Sequence, residues 1–165
     1  MDNLVCKIAS REELLKRWEY LIKIHPGNDN WVKYKENALR NFDNQNTISY
    51  LGFLNDEIIC EATAYIKNDA FIGDIDDYSG LLNENMAYLA AFRTNKEYEG
   101  QGYFSKLYKF MESDLNMRGY RELCLGVGPE EVRNTEIYFH LGFRDYIKIL
   151  NEKNEVIIFY KKSIE

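Results

Sequence analysis

Gly100-Gln101-Gly102 stands between an apolar run at residues 86–94 and a helical pattern that begins near residue 103. Two glycines at such a turn let the backbone come close to a ligand, while the first N–H groups of the helix and its dipole face an anion. A pyrophosphate fits that description, although a tight strand-to-helix turn needs glycine for steric reasons as well. Glu61 is another chemically suggestive residue, set inside Ile58-Ile59-Cys60-Glu61-Ala62-Thr63-Ala64-Tyr65-Ile66. An unpaired carboxylate is costly there and its pKa would rise toward that of a useful base; on a half-exposed strand it would simply face water. Asp74, Asp76 and Asp77 begin like a calcium loop, but Tyr78 and Ser79 stand where a further ligand and the turn glycine belong. Cys6, Cys60 and Cys124 are far apart in apolar, strand-like runs, and His25 and His140 complete no ligand set with them. They read as buried, reduced thiols, with no metal.

The elements that must position these residues follow from periodicity. A strand at residues 3–8 leads into Ser10-Arg11-Glu12-Glu13, a capping box, and a helix whose Leu14, Leu15, Trp18, Leu21 and Ile22 recur at helical spacing. His25-Pro26-Gly27 ends it, and a further helix covers residues 30–42. Runs at 47–54 and 57–67 form a hairpin closed by Asn55-Asp56. Residues 68–85 are acidic and irregular. The run at 86–94 is apolar enough to be covered on both faces and so reads as a central strand. A long helix follows with Phe104, Leu107, Tyr108, Met111 and Leu115 on one face. Next come a buried strand at 122–127, a helix opened by Pro129 and closed by Gly142, and a terminal hairpin at 143–150 and 156–161. Strand, helix, strand, helix over residues 86–142 requires a parallel pair with a right-handed crossover. The expected class is α/β: a single domain over residues 1–165 with a mixed, mostly antiparallel sheet flanked by helices.

Composition narrows the partners. The 165 residues are 45% hydrophobic and 29% charged, and no apolar run reaches the roughly 18 residues of a membrane span. The N-terminus lacks a basic start followed by an apolar stretch, so a cytoplasmic protein is expected. With a net charge of −6 and no block of Lys and Arg, nucleic acid is a poor partner, whereas a cationic substrate would be attracted.

Glu97-Tyr98-Glu99-Gly100-Gln101-Gly102-Tyr103, followed by Glu130-Glu131-Val132-Arg133-Asn134-Thr135-Glu136-Ile137-Tyr138-Phe139-His140-Leu141-Gly142-Phe143, resembles the GNAT superfamily of N-acetyltransferases. The glycine segment is similar to that family's (Gln/Arg)-x-x-Gly-x-(Gly/Ala) pyrophosphate loop, with Glu97 in the Gln/Arg place. The segment ending at Phe143 is similar to its Tyr-x-x-x-Gly-Phe helix end. The resemblance implies a central parallel pair that splays to admit the pantetheine arm, and direct transfer of an acetyl group from acetyl-CoA to a primary amine. It implies that the backbone of Glu99, Gly100, Gln101, Gly102, Tyr103, Phe104 and Ser105 holds the pyrophosphate, and that an N–H among Phe92, Arg93 and Thr94 polarises the thioester carbonyl. Asn134, and the side chains of Arg93 and Lys106, are candidates for further coenzyme contacts. Tyr138 matches the tyrosine that donates to the departing thiolate, and Glu61 is the candidate base that takes the ammonium proton. Phe104 stands where a small residue is frequent, which implies a differently packed first turn.

Two other readings stay open on the sequence. One is a non-catalytic acetyl-CoA-binding sensor or interaction module. The other is a different nucleotide-binding enzyme, disfavoured because Gly-x-x-x-x-Gly-Lys-(Ser/Thr) and the third glycine of a dinucleotide fingerprint are missing. The acceptor is expected to be a small, cationic amine, with the acidic stretch around Asp74–Asp77 at its mouth. Val156-Ile157-Ile158-Phe159-Tyr160 fits either core or the interface of a homodimer.

Overall fold

The computed structural model describes residues 3–72, 80–152 and 155–164; Asp74, Asp76 and Asp77, and with them the expected acidic mouth, lie outside the described residues. The elements run β1 (Val5–Ile8), α1 (Arg11–Ile24), α2 (Asn30–Asp43), β2 (Thr47–Leu54), β3 (Glu57–Tyr65), β4 (Met86–Thr94), α3 (Tyr103–Met117), β5 (Glu122–Val127), α4 (Val132–His140), β6 (Asp145–Glu152) and β7 (Glu155–Ser163). All strands join one sheet in the order β1-β2-β3-β4-β5-β7-β6, and β4–β5 is its parallel pair. This is the α/β class with a mixed sheet that the strand-helix alternation requires.

Local chemistry accounts for the boundaries near the site. Ser10 Oγ accepts the Glu13 N–H at 3.2 Å and Glu13 Oε1 accepts the Ser10 N–H at 3.0 Å, so the capping box fixes where α1 starts. Asn55 and Asp56 both have positive φ, +49° and +66°, the conformation a two-residue turn needs to match the twist of β2 and β3. α4 begins at Val132, not at Pro129. Glu131 instead closes a turn of its own, accepting the Gly128 N–H at 2.7 Å and the Asn134 side-chain amide at 3.0 Å, with non-helical backbone at φ −85° and ψ 63°.

The sheet is covered on both faces. Ile48, Tyr50 and Leu54 of β2 share one core with Leu107, Met111 and Leu115 of α3. Leu51 packs on the opposite face against Leu14, Trp18 and Leu21 of α1. Each such side chain contributes roughly 1.5–3 kcal/mol when fully buried, which holds α1 and α3 rigidly over the central strands. β7 lies between β5 and β6 and its Phe159 is fully buried, so the terminal hairpin contributes an inner strand. Cys60 and Cys124 are buried as expected, and burial pushes both thiols up to about 12; Cys6 is only half-buried. Among the described residues, no helix is long and apolar enough to cross a membrane.

Candidate active site

β4 and β5 pair through only three positions, Met86 with Glu122, Ala87 with Leu123 and Tyr88 with Cys124. Beyond them each strand stays bonded to its outer neighbour: Arg93 and Thr94 of β4 face Glu61 and Cys60 of β3, and Leu125 to Val127 of β5 face β7. Two inner strand edges therefore diverge from Leu89 and Leu125 onward, with backbone donors and acceptors turned toward each other across a wedge. Groups of that kind are satisfied by a partner in nearly all folded proteins, and an extended chain carrying amides is the natural one.

The mouth of the wedge is shaped by a β-bulge. Glu61 pairs with Arg93 but Thr63 pairs with Ala90, so β4 carries one residue more than β3 across this interval. Ala91 takes φ +58°, a region that alanine enters at a cost of about 1–2 kcal/mol. The extra residue inverts the alternation of the strand. Phe92 turns to the α3 face, 4.9 Å from Phe104 and 6.1 Å from Tyr138 between ring centroids, while Arg93 turns to the α1 face. Because branching at Cβ raises the cost of a positive φ, Ala91→Val is expected to lower stability by about 1–3 kcal/mol, read from the midpoint of urea unfolding. Ala91→Gly should unfold at or above the wild-type midpoint.

At the open end of the wedge, Asn95 leads through a short 3-10 turn at Lys96–Tyr98 to the two glycines. Gly100 has φ +74° and Gly102 φ +83°, and a Cβ added to either would meet no protein atom within 4 Å. Glycine is required by the backbone conformation, and the space above it is open to a ligand. Gln101 Nε2 donates to the Glu97 carbonyl at 3.1 Å and braces the turn. α3 has no side-chain cap, and its first internal bond is the Lys106 N–H to the Gly102 carbonyl at 3.4 Å. The N–H groups of Tyr103, Phe104 and Ser105 thus form an uncapped helix start, where the dipole favours negative charge. Phe104 fills the gap under Phe92, which is how the first turn accommodates a large residue.

Tyr138 sits on α4, half-buried beside Phe92. Burial, with a smaller contribution from Glu131, raises its phenol above the ordinary tyrosine value. Its hydroxyl is therefore a weak acid but a persistent hydrogen-bond donor. Asn134 is one turn earlier and its amide is committed to Glu131.

Glu61 differs from its expectation. It is buried but not unpaired: one oxygen is bound by Arg17 Nε and the other by Arg93 Nη1 at 2.8 Å. The register places Arg93 directly opposite, and α1 lays Arg17, 1% exposed, over the same carboxylate. With both oxygens held by guanidinium groups, Glu61 is not poised to take a proton from an ammonium. The Arg93 side chain is drawn to Glu61 and lies 5.6 and 5.2 Å from the rings of Trp18 and Trp31, on the α1 face of the sheet. Arg17 Nη1 also donates to Asn95 Oδ1 at 2.6 Å, which ties α1 to the start of the glycine segment.

Two cavities open on the α1–α2 face beside the bulge. One, of about 250 Å³, is lined by Glu61, Ala91 and Arg93 with Tyr34 and Asn37 of α2. The other, of about 720 Å³, is bounded by Arg17, His25, Trp31, Arg93, Thr94 and Glu99. Sequence reasoning passed over Arg17, His25 and Trp31. A charged residue within the apolar stripe Leu14, Trp18, Leu21 was a signal for Arg17; nothing in the sequence marks His25. Its ring stacks on Trp31 at 3.8 Å, and Nδ1 lies 2.7 Å from the Leu21 carbonyl oxygen. A carbonyl can only accept, so Nδ1 carries a proton and, in the neutral ring, Nε2 keeps the lone pair.

The model of the Acetyltransferase (GNAT) family matches residues 12–143, and the chain belongs to that family. Its fold is similar to the ribosomal-protein-S18-alanine N-acetyltransferase from Escherichia coli, with a TM-score of 0.70 at 16% identity over 99% of this chain and 95% of that one. It is also similar to a GNAT-family protein from Desulfovibrio desulfuricans, with a TM-score of 0.74 at 10% identity over 98% and 99% of the two chains. The yncA protein from Salmonella typhimurium, solved with its cofactor acetyl-CoA, gives a TM-score of 0.69 at 14% identity over 99% and 95%. No curated protein matches the chain by sequence.

Proposed function

We propose that this protein transfers an acetyl group from acetyl-CoA to the primary amine of a small acceptor. The observation that carries the reading is the wedge between β4 and β5, whose unpaired edges lead to a glycine turn and an uncapped helix start. An amide-bearing arm suits the edges and a pyrophosphate suits the helix start. Acetyl-CoA, when bound, supplies the activated thioester. The amides at 99–105 would hold its phosphates, and an N–H of the bulge around Phe92, Arg93 and Thr94 would polarise the thioester carbonyl. The acceptor enters from the α1–α2 face, where cavities of about 250 and 720 Å³ share Arg93 and have room for a small molecule. A primary amine arrives there as an ammonium, so the expected cationic character belongs to its reacting end.

Calorimetry with acetyl-CoA tests the reading. Valine at position 102 must adopt φ near +83° and projects into the space over the turn, so Gly102→Val is expected to lose binding while wild type binds. Unchanged affinity in a folded Gly102→Val protein would remove the glycine turn from the site.

His25, through Nε2 and directly or by way of water, is our candidate for removing the ammonium proton in place of Glu61. His25→Gln should lower kcat at neutral pH by about tenfold to a thousandfold. The deficit should shrink as pH approaches the amine's own pKa near ~10, where neutral amine is abundant. A deficit independent of pH would assign His25 to packing against Trp31.

A further inference from the structure

We infer that the acceptor carries a carboxylate as well as its amine, and that the Arg93 guanidinium binds it; this rests on the acetyl-transfer reading of the same site. The charges around the α1–α2 cavities are three cations, Arg17, Arg93 and Lys96, against two carboxylates, Glu61 and Glu99. Their pairing is unequal. Arg17 and Glu61 are buried together, with side chains 1% and 5% exposed, and Arg17 further spends Nη1 on Asn95 and the Ile58 carbonyl. That pair neutralises itself. Arg93 is attached to it by one bond, Nη1 to Glu61 Oε1, keeps 30% of its side chain exposed, and makes no other hydrogen bond among the described residues. Its Nε and Nη2 donors therefore remain for a ligand, and the local cluster of two guanidiniums and one carboxylate has a surplus positive charge.

The rest of the wall holds this cation in place and leaves its charge uncancelled. Trp18 and Trp31 lie against the guanidinium, and Glu61 fixes one end of the fork. A planar, pre-oriented fork with free N–H groups matches the two oxygens of a carboxylate, the commonest anionic group found beside an amine in small molecules. Position matters equally, because Arg93 is also one of the residues at the bulge where the thioester carbonyl would be polarised. A carboxylate on its side chain and an amine at its backbone end are then spaced by a short linker, as in an amino acid. This narrows the acceptor to amino-acid-like zwitterions, and disfavours polyamines, whose second charge would face Arg93.

Matched acceptors test this: phenylalanine, its carboxamide and phenethylamine, and likewise lysine, its carboxamide and cadaverine. Wild type should favour the free carboxylate over both neutralised forms by about tenfold to a hundredfold in kcat/KM, mainly through KM. Arg93→Gln should erase the preference, and Arg93→Lys, keeping charge but not the fork, should restore part of it. The chain's two tryptophans, Trp18 and Trp31, both contact Arg93, so tryptophan emission provides a reading independent of turnover. It should change saturably with the carboxylate-bearing ligands and weakly with their amides. Preference for an amide or for the decarboxylated amine, or an Arg93→Gln effect equal for all acceptors, would overturn the inference and leave acetyl transfer standing. Arg93-dependent carboxylate binding with no acetyl-CoA turnover for any amine would support the subsite and sink the transfer reading instead.

Discussion

Tyr138→Phe is expected to lower kcat by about tenfold to a thousandfold, with much smaller effects on KM for either substrate. The hydroxyl is asked to act on charge that develops only as the thiolate leaves, so its removal affects the transition state more than the ground state. Burial raises the phenol, which makes complete proton transfer less favourable and hydrogen-bond donation the main contribution. The sign for pH follows: the hydroxyl stays protonated beyond the ordinary tyrosine value, so activity lost through its ionisation should appear only above about pH 10. A kcat unchanged in Tyr138→Phe would return the residue to packing against Phe92.

Arg17→Met should destabilise the protein by about 3–5 kcal/mol, the largest stability effect expected here. Glu61, 4% exposed, would keep only the half-exposed Arg93, and Asn95 Oδ1 would lose its 2.6 Å donor. The double variant Arg17→Met with Glu61→Gln should recover most of the loss, because no buried charge is then left with too little compensation. Urea unfolding of the single and double variants measures both effects. If Arg17→Met costs less than about 1 kcal/mol, the Arg17–Glu61 pair is not a buried anchor for α1.

Much of this fold is legible along the chain because its elements are locally consistent. The capping box at Ser10, the Asn55-Asp56 turn and the apolar run of β4 each specify their own geometry, and β4 and β5 occupy the residues that periodicity assigns them. The glycine turn and Tyr138 are legible through short motifs. What was not legible depends on register. A single extra residue at Ala91 sends Phe92 to one face and Arg93 to the other, and alternation in the sequence carries no sign of it. The pairing of Glu61 with Arg17 and Arg93 spans 44 and 32 residues, so no local rule could identify those partners. Pro129 misled because proline suits the first turn of a helix, yet the Glu131 side chain bonded Gly128 and delayed α4 to Val132.

The central claim, acetyl transfer at the β4–β5 wedge, is tested most directly by following free CoA thiol from acetyl-CoA while weighing the amine product by mass spectrometry. The account predicts thiol release that depends on the amine, one acetyl group gained by the amine per thiol released, and loss of both in Gly102→Val. Tight binding of acetyl-CoA with no amine-dependent thiol release, across amines with and without a carboxylate, would contradict it and leave a coenzyme-binding module.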